Sequence, residues 1–163
     1  MNKVVFLDRD GVINDGTLYY TYKISDFKCN EGVFVGLKML IENGFKLIVI
    51  SNQSGVAKGE YTIENVEEVH DFMKQELRKN GIELTDVFYC PHHPDVSNCE
   101  CRKPGTLLFE QAIEKHAVDV TKSYMIGDSK RDIEAANKMN IKGILISKNE
   151  NIVPYCKQII ANS

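Results

Sequence analysis

Apolar residues follow two periods along this chain. Short runs at Val4–Asp8, Lys46–Ser51, Val87–Tyr89, Tyr124–Gly127 and Gly143–Ile146 predict buried β-strands. Between them, apolar positions recur at helical spacing. Val33, Leu37, Leu40 and Ile41 share one helical face ahead of a stop at Gly44. Val66, Val69, Met73 and Leu77 do the same in a longer helix, with Thr62 as its N-cap and Asn80-Gly81 as its end. Two weaker helices are expected at about 105–117 and 130–139.

This alternation predicts an α/β fold, a doubly wound parallel sheet with helices on both faces. Ligands of such sheets sit beyond the carboxyl ends of the strands, near the reversal of strand order. Asp8, Ser51 and Asp128 all fall at or just past such ends. Two segments break the pattern. Residues 11–31, rich in Gly, Asn, Asp and Tyr, predict a turn and short hairpin that would form a flap; residues 90–104 carry a Cys/His cluster. Neither is long enough for a cap domain, and no repeat or linker divides residues 1–163, so a single domain is expected.

Composition narrows the function classes. Charged residues are 26% and hydrophobic residues 43% of the 163, the balance of an ordinary globular domain. No apolar stretch approaches the roughly 18 residues of a membrane span. Asp8-Arg9-Asp10 interrupts the first apolar run after four residues, which is not a secretory signal. A cytoplasmic location without membrane association is therefore expected. Twenty basic against 23 acidic residues give a net charge of −3 with no basic run, so no nucleic-acid partner is expected. Five cysteines cannot all pair within the chain, and three of them fall in the twelve residues from Cys90 to Cys101.

Asp8 and Asp10 place two carboxylates at the end of a buried strand, a costly arrangement without a cation. Ser51-Asn52 follows the second strand, Lys103 follows the cysteine cluster, and Asp128 with Asp132 follows the fourth strand. Each has a bland reading, as an acidic turn, a polar turn, a surface charge or a helix cap. Together, in this order at strand ends, they are the parts that hold Mg²⁺ and a phosphoryl group. Cys90, His92, Cys99 and Cys101 form C-x-H…C-x-C, a soft four-ligand set suited to structural Zn²⁺, with His93 as a spare histidine. Cys29 and Cys156 read as packing residues.

These positions resemble the four motifs of the haloacid dehalogenase (HAD) superfamily. The resemblance implies a Rossmann-like fold without a cap and a Mg²⁺-dependent phosphatase. Asp8 would be the nucleophile and Asp10 the general acid and base, while Ser51 and Lys103 would stabilise phosphoryl oxygens. Mg²⁺ would lie on Asp8, the Asp10 carbonyl and Asp128, with Asp132 orienting Lys103 or a metal-bound water. The segments DRDGVIN (8–14), SNQSGVAKG (51–59) and CPHHP…CECRKP (90–104) are similar to the heptose-1,7-bisphosphate 7-phosphatase group, with histidinol-phosphate phosphatases as near relatives. The substrate implied is a small phosphorylated sugar, touched by Gly16 and Tyr19 of the flap, by Asn52, Gln53 and Ser54, and by Arg102. Lys58 and Ser129 depart from the group's pattern, and Lys130 should point away from the site because a helix turns about 100° per residue.

Two other classes remain open at this point. A phospho-receiver domain also uses an acidic pair, but its acceptor Asp would end the third strand, where Tyr89-Cys90-Pro91 stands. A non-catalytic, zinc-stabilised interaction module is the other. Nothing in the sequence fixes the oligomeric state, and a monomer is compatible with it.

Overall fold

The computed structural model describes all residues, 1–163. Five strands, β1 (Val4–Leu7), β2 (Lys46–Asn52), β3 (Asp86–Cys90), β4 (Tyr124–Gly127) and β5 (Lys142–Leu145), form one sheet in the order β3-β2-β1-β4-β5. Every pairing is parallel. Five helices connect or follow them: α1 (Val33–Glu42), α2 (Ile63–Lys79), α3 (Leu107–His116), α4 (Lys130–Lys138) and α5 (Val153–Ala161).

Successive side chains of a strand point to opposite faces, and here both faces are covered. Val5, Leu7, Leu47 and Val49 pack with Val33 and Leu37 of α1, Met73 of α2 and Cys156 of α5. Val4, Phe6, Ile48 and Ile50 pack with Phe109 of α3 and Ala135 of α4. Burial on both faces is why β1 and β2 read as unbroken apolar runs. Chain order runs outward from β1 to β3, then returns to β4 on the other side of β1. The reversal therefore lies between β1 and β4, so that Asp8 and Asp128 flank it.

Local chemistry sets the helix ends. Asn65 N donates to Thr62 Oγ1 at 3.1 Å and Thr62 N to Asn65 Oδ1 at 2.9 Å, a reciprocal cap on α2. Gly81, just past Asn80, takes φ +75°, where a side chain would be strained. No helix is long and apolar enough to cross a membrane.

Three features differ from the sequence expectation. Strand β5 is shifted one residue toward the N-terminus. Residues 11–31 form no regular hairpin; a tight turn after Arg9 leads to one antiparallel bridge, Asn14–Cys29, and a 3₁₀ turn at Ile24–Asp26. Helix α5, nine residues with Pro154 in its first turn, packs Cys156 and Ile159 into the core.

Candidate active site

Main-chain pairing carries β1 straight into the site, with Asp8 N donating to Ile126 O of β4 at 3.1 Å. The Asp8 carboxylate then turns inward, where its Oδ1 accepts from Arg9 N at 2.9 Å and Lys103 Nζ at 3.1 Å. Lys103 is 1% exposed and fixed at three points, since Nζ also donates to Ile50 O at 2.6 Å and lies 2.6 Å from Asp132 Oδ1. Burial alone would lower the Lys103 pKa, but the Asp8 and Asp132 charges outweigh it and hold the ammonium above its usual value.

The acidic side is under-compensated. Burial, and then the charges of Asp132, Asp128 and Asp10, push Asp8 well above the usual carboxylate range against the pull of Lys103. Burial chiefly raises Asp128 as well. Carboxylate oxygens of Asp8, Asp128 and Asp132 come within 4.8 Å of one another. Both oxygens of Asp132 are engaged, Oδ1 with Lys103 and Oδ2 with Ser129 N at 3.2 Å. That leaves Asp8 and Asp128 facing a shared space with surplus negative charge, which fits a hard divalent cation with oxygen ligands. Gly11 sits beneath it with φ +86°, and a Cβ there would run into the Asp128 carboxylate.

Asp10 is held from several sides. Its Oδ1 accepts from Arg9 Nε at 3.0 Å, Arg9 Nη2 at 2.8 Å and Asn14 Nδ2 at 2.9 Å. Its Oδ2 meets only Gln53 Nε2, at 3.3 Å. Gln53 also donates to Ser51 Oγ at 2.9 Å and accepts from Tyr61 OH at 2.8 Å. Ser51 is 1% exposed and lies behind the cavity wall. Asn52 grips the backbone of Lys103, accepting from its N–H at 3.0 Å and donating to its carbonyl at 3.3 Å.

The Cys/His cluster begins at the end of β3, where Cys90 pairs in register with Asn52. Cys90 Sγ lies 3.6 Å from Cys99 Sγ, 3.4 Å from His92 Nδ1 and 2.7 Å from Cys101 Sγ, while His92 Nδ1 is 3.1 Å from Cys101 Sγ. A tetrahedral site with Zn–S bonds of about 2.3 Å has S–S edges of about 3.8 Å. Three sulfurs and one imidazole nitrogen converge inside that size, most closely between Cys90 and Cys101, and fit Zn²⁺ once the sulfurs move apart. His93 is outside the cluster; its Nδ1 accepts from Asp95 N at 3.0 Å. Burial raises the Cys90 and Cys101 thiols, whereas hydrogen bonds led by the Arg102 amide outweigh burial at Cys99 and lower it.

A cavity of about 480 Å³ opens above these groups. Asp8, Asp10 and Asp128 form its floor, and Gly16, Tyr19, Asn52, Gln53, Ser54 and Arg102 join its wall. Arg131, Lys148, Tyr20 and Tyr61 line it too, and sequence reading did not single them out. The signal for Arg131 was present, because the helical turn that carries Lys130 away from the site brings its neighbour in. Lys130 faces a separate shallow surface between α4 and β5, and Lys58 pairs with Asp95 at 3.6 Å. Lys103 is neutralised by Asp8 and Asp132, but Arg102, Arg131 and Lys148 are in no ion pair. Arg102 Nη1 is buried without a partner. The cavity therefore has an acidic floor and a cationic rim.

The flap is fastened rather than loose. Asn149, at φ +66°, donates its amide to Gly11 O at 2.8 Å. Its side chain accepts from Gly16 N and donates to Asp15 Oδ1, both at 2.8 Å. Tyr22 stacks on Tyr61 with ring centroids 5.2 Å apart, and Tyr20 meets the same ring edge-on.

A family model described as HAD-hydrolase-like matches residues 100–154. The D-glycero-alpha-D-manno-heptose-1,7-bisphosphate 7-phosphatase of Photorhabdus laumondii is 38% identical over 152 residues, covering 90% of this chain and 82% of that protein. The D-glycero-beta-D-manno-heptose-1,7-bisphosphate 7-phosphatase of Helicobacter pylori strain J99 is 37% identical over 164 residues, covering 97% and 93%. Among solved structures, the D,D-heptose 1,7-bisphosphate phosphatase of B. bronchiseptica, complexed with magnesium and phosphate, superposes with a TM-score of 0.91 at 25% identity and covers 99% of each chain.

Proposed function

The chain belongs to the HAD-like family of D-glycero-D-manno-heptose-1,7-bisphosphate 7-phosphatases, and from that premise we propose that it hydrolyses the 7-phosphate of such a sugar at Asp8. The observation that carries this reading is the cavity's polarity, with half-buried Asp8 and Asp128 and buried Lys103 at its base below three unpaired cations at the rim. One phosphate can meet the floor while Arg102, Arg131 and Lys148 meet the other. Arg102 suits that task, since a planar guanidinium takes two phosphate oxygens at once.

In the first half-reaction an Asp8 carboxylate oxygen forms a bond to phosphorus as the ester P–O bond breaks. The proton carried by Asp10 passes to the departing sugar oxygen, leaving an aspartyl-phosphate and a free alcohol. In the second, the Asp10 carboxylate takes a proton from water, whose oxygen attacks phosphorus. The bond to Asp8 breaks, and inorganic phosphate leaves. Lys103 neutralises phosphoryl charge throughout, positioned by Asn52 and Asp132. Asp8, the Asp10 carbonyl and Asp128 would hold Mg²⁺, which would supply the positive charge that lets a carboxylate approach a phosphate dianion. Ser51, behind the cavity wall, supports Asp10 through Gln53.

Cys90, His92, Cys99 and Cys101 would hold Zn²⁺ with no open position, a structural role that would stiffen the loop into Arg102 and Lys103. A cytoplasmic setting would keep the zinc cysteines reduced.

The test is phosphate release from both anomers of D-glycero-D-manno-heptose 1,7-bisphosphate and from histidinol phosphate, with and without Mg²⁺. Mg²⁺-dependent release favouring a heptose bisphosphate is expected. Preference for histidinol phosphate would overturn the substrate, and no release from any ester would overturn the activity.

A further inference from the structure

Two buried polar side chains behind the site have no part in the reaction as written. Arg9, between the two motif carboxylates, is 0% exposed, and His70 interrupts the apolar stripe of α2 at 2% exposed. They touch, with Arg9 Nη1 3.2 Å from His70 Nε2. A guanidinium only donates, so Nε2 is the accepting nitrogen and the imidazole proton sits on Nδ1. Burial, with the Arg9 and Lys74 charges adding to it, pulls the His70 pKa down to about 3, which keeps the ring neutral and able to accept. The remaining nitrogens of Arg9 reach Asp10 Oδ1 twice and Thr21 O at 2.7 Å.

The consequence falls on Asp10. Three donors, two from Arg9 and one from Asn14, saturate Oδ1, so a proton on this carboxyl has room only on Oδ2. Oδ2 meets the single longer contact from Gln53. We propose that His70 is a positioning residue, which orients the Arg9 fork so that Asp10 presents Oδ2 alone to the leaving group. The inference rests on Asp10 being the general acid, as the proposed function has it.

Leaving-group chemistry separates this role from simple support of the fold. A sugar alkoxide needs a proton to depart, whereas p-nitrophenolate does not, and kcat/KM reports events only up to the first bond cleavage. His70→Phe keeps the ring's bulk but removes the acceptor, and His70→Gln restores one. Because general acid catalysis is typically worth 10²–10⁴-fold, His70→Phe should lower kcat/KM on the sugar phosphate by at least about tenfold. On p-nitrophenyl phosphate it should change less than about twofold, with His70→Gln recovering most of the sugar-phosphate loss. The ratio of the two kcat/KM values does not depend on the fraction of folded enzyme, so a poorly folding variant still reads out. Arg9→Lys, which keeps the charge but loses the fork, should give the same skew. Equal losses on both esters, no loss on either, or no recovery with His70→Gln would overturn the positioning role while leaving the phosphatase reading intact. A wild-type chain that hydrolyses neither ester would overturn both.

Discussion

Lys103 Nζ lies 2.6 Å from Asp132 Oδ1, and the other oxygen of that carboxylate caps α4 through Ser129 N. One side chain thus ties a helix terminus to the buried lysine, and the two duties can be separated. Asp132→Asn keeps a capping oxygen and loses the charge, so kcat should fall about tenfold or more, in line with the 1.5–3 kcal/mol of a charged hydrogen bond. Asp132→Ala should in addition lose about 1 kcal/mol of stability with the cap. Steady-state kinetics beside urea denaturation would show both; equal stability of the two variants would contradict the capping role.

Asp8→Asn removes the nucleophile and also the most crowded charge in the site. Turnover should drop by at least about 10³-fold, as when other covalent nucleophiles are removed. In EDTA the variant should melt no lower than the wild type, because repulsion among Asp8, Asp128 and Asp132 is relieved. Mg²⁺ should raise the wild-type melting temperature by preferential binding to the folded chain, and raise that of the variant less. A large loss of stability in EDTA would mean that Asp8 is a structural carboxylate.

The rim cations can be tested by their selectivity. Arg131→Ala and Lys148→Ala should each raise KM for a sugar bisphosphate by about tenfold, equivalent to about 1.4 kcal/mol. KM for the corresponding monophosphate should hardly change. Equal effects on both substrates would remove these residues from recognition of a second phosphate.

His70 gives stability a definite pH slope. Its pKa falls from 6.5 to about 3 on folding, so between those values the unfolded chain binds the extra proton. Its contribution is complete above pH 6.5 and is lost as pH falls toward 3, with a slope of up to about 1.4 kcal/mol per pH unit. Arg9 and Lys74 face the ring with positive charge, and Tyr89 packs against it edge-on. Unfolding free energies at pH 6.5 and about 5 should therefore differ less in His70→Gln than in the wild type. Identical slopes would mean that His70 is not buried neutral.

Removing zinc should loosen residues 90–103 and leave the sheet folded. Among the freed thiols Cys99, exposed and lowered, should alkylate before Cys90 and Cys101, both buried and raised. Mass spectrometry after chelation reads the order, and equal labelling without chelation would contradict zinc binding.

Strands β1, β2 and β4, and the caps of α2, were legible because their signals are local: apolar runs, Thr62, Asn80-Gly81. So was the set Asp8, Lys103 and Asp128, which the switch in strand order gathers at one end of the sheet. Asn149 was not, since its partners at Gly11–Thr17 lie more than 130 residues away in sequence. Nothing local marks Arg9 for burial, which only His70 and Thr21 O, from other segments, make possible. Helix α5 escaped because nine residues with a proline near the start give little periodicity to detect.

Asn149 fastens Asp15 and Gly16 to the loop after β5 through bonds made entirely within the chain. Ordering a free segment costs roughly 1–2 kcal/mol per residue in backbone entropy. Here that cost falls on folding, not on the encounter with substrate. Binding should then show a small entropic penalty and a heat-capacity change set by the surface the sugar buries. Such a site meets its substrate with the recess already shaped, and gains affinity from preorganisation.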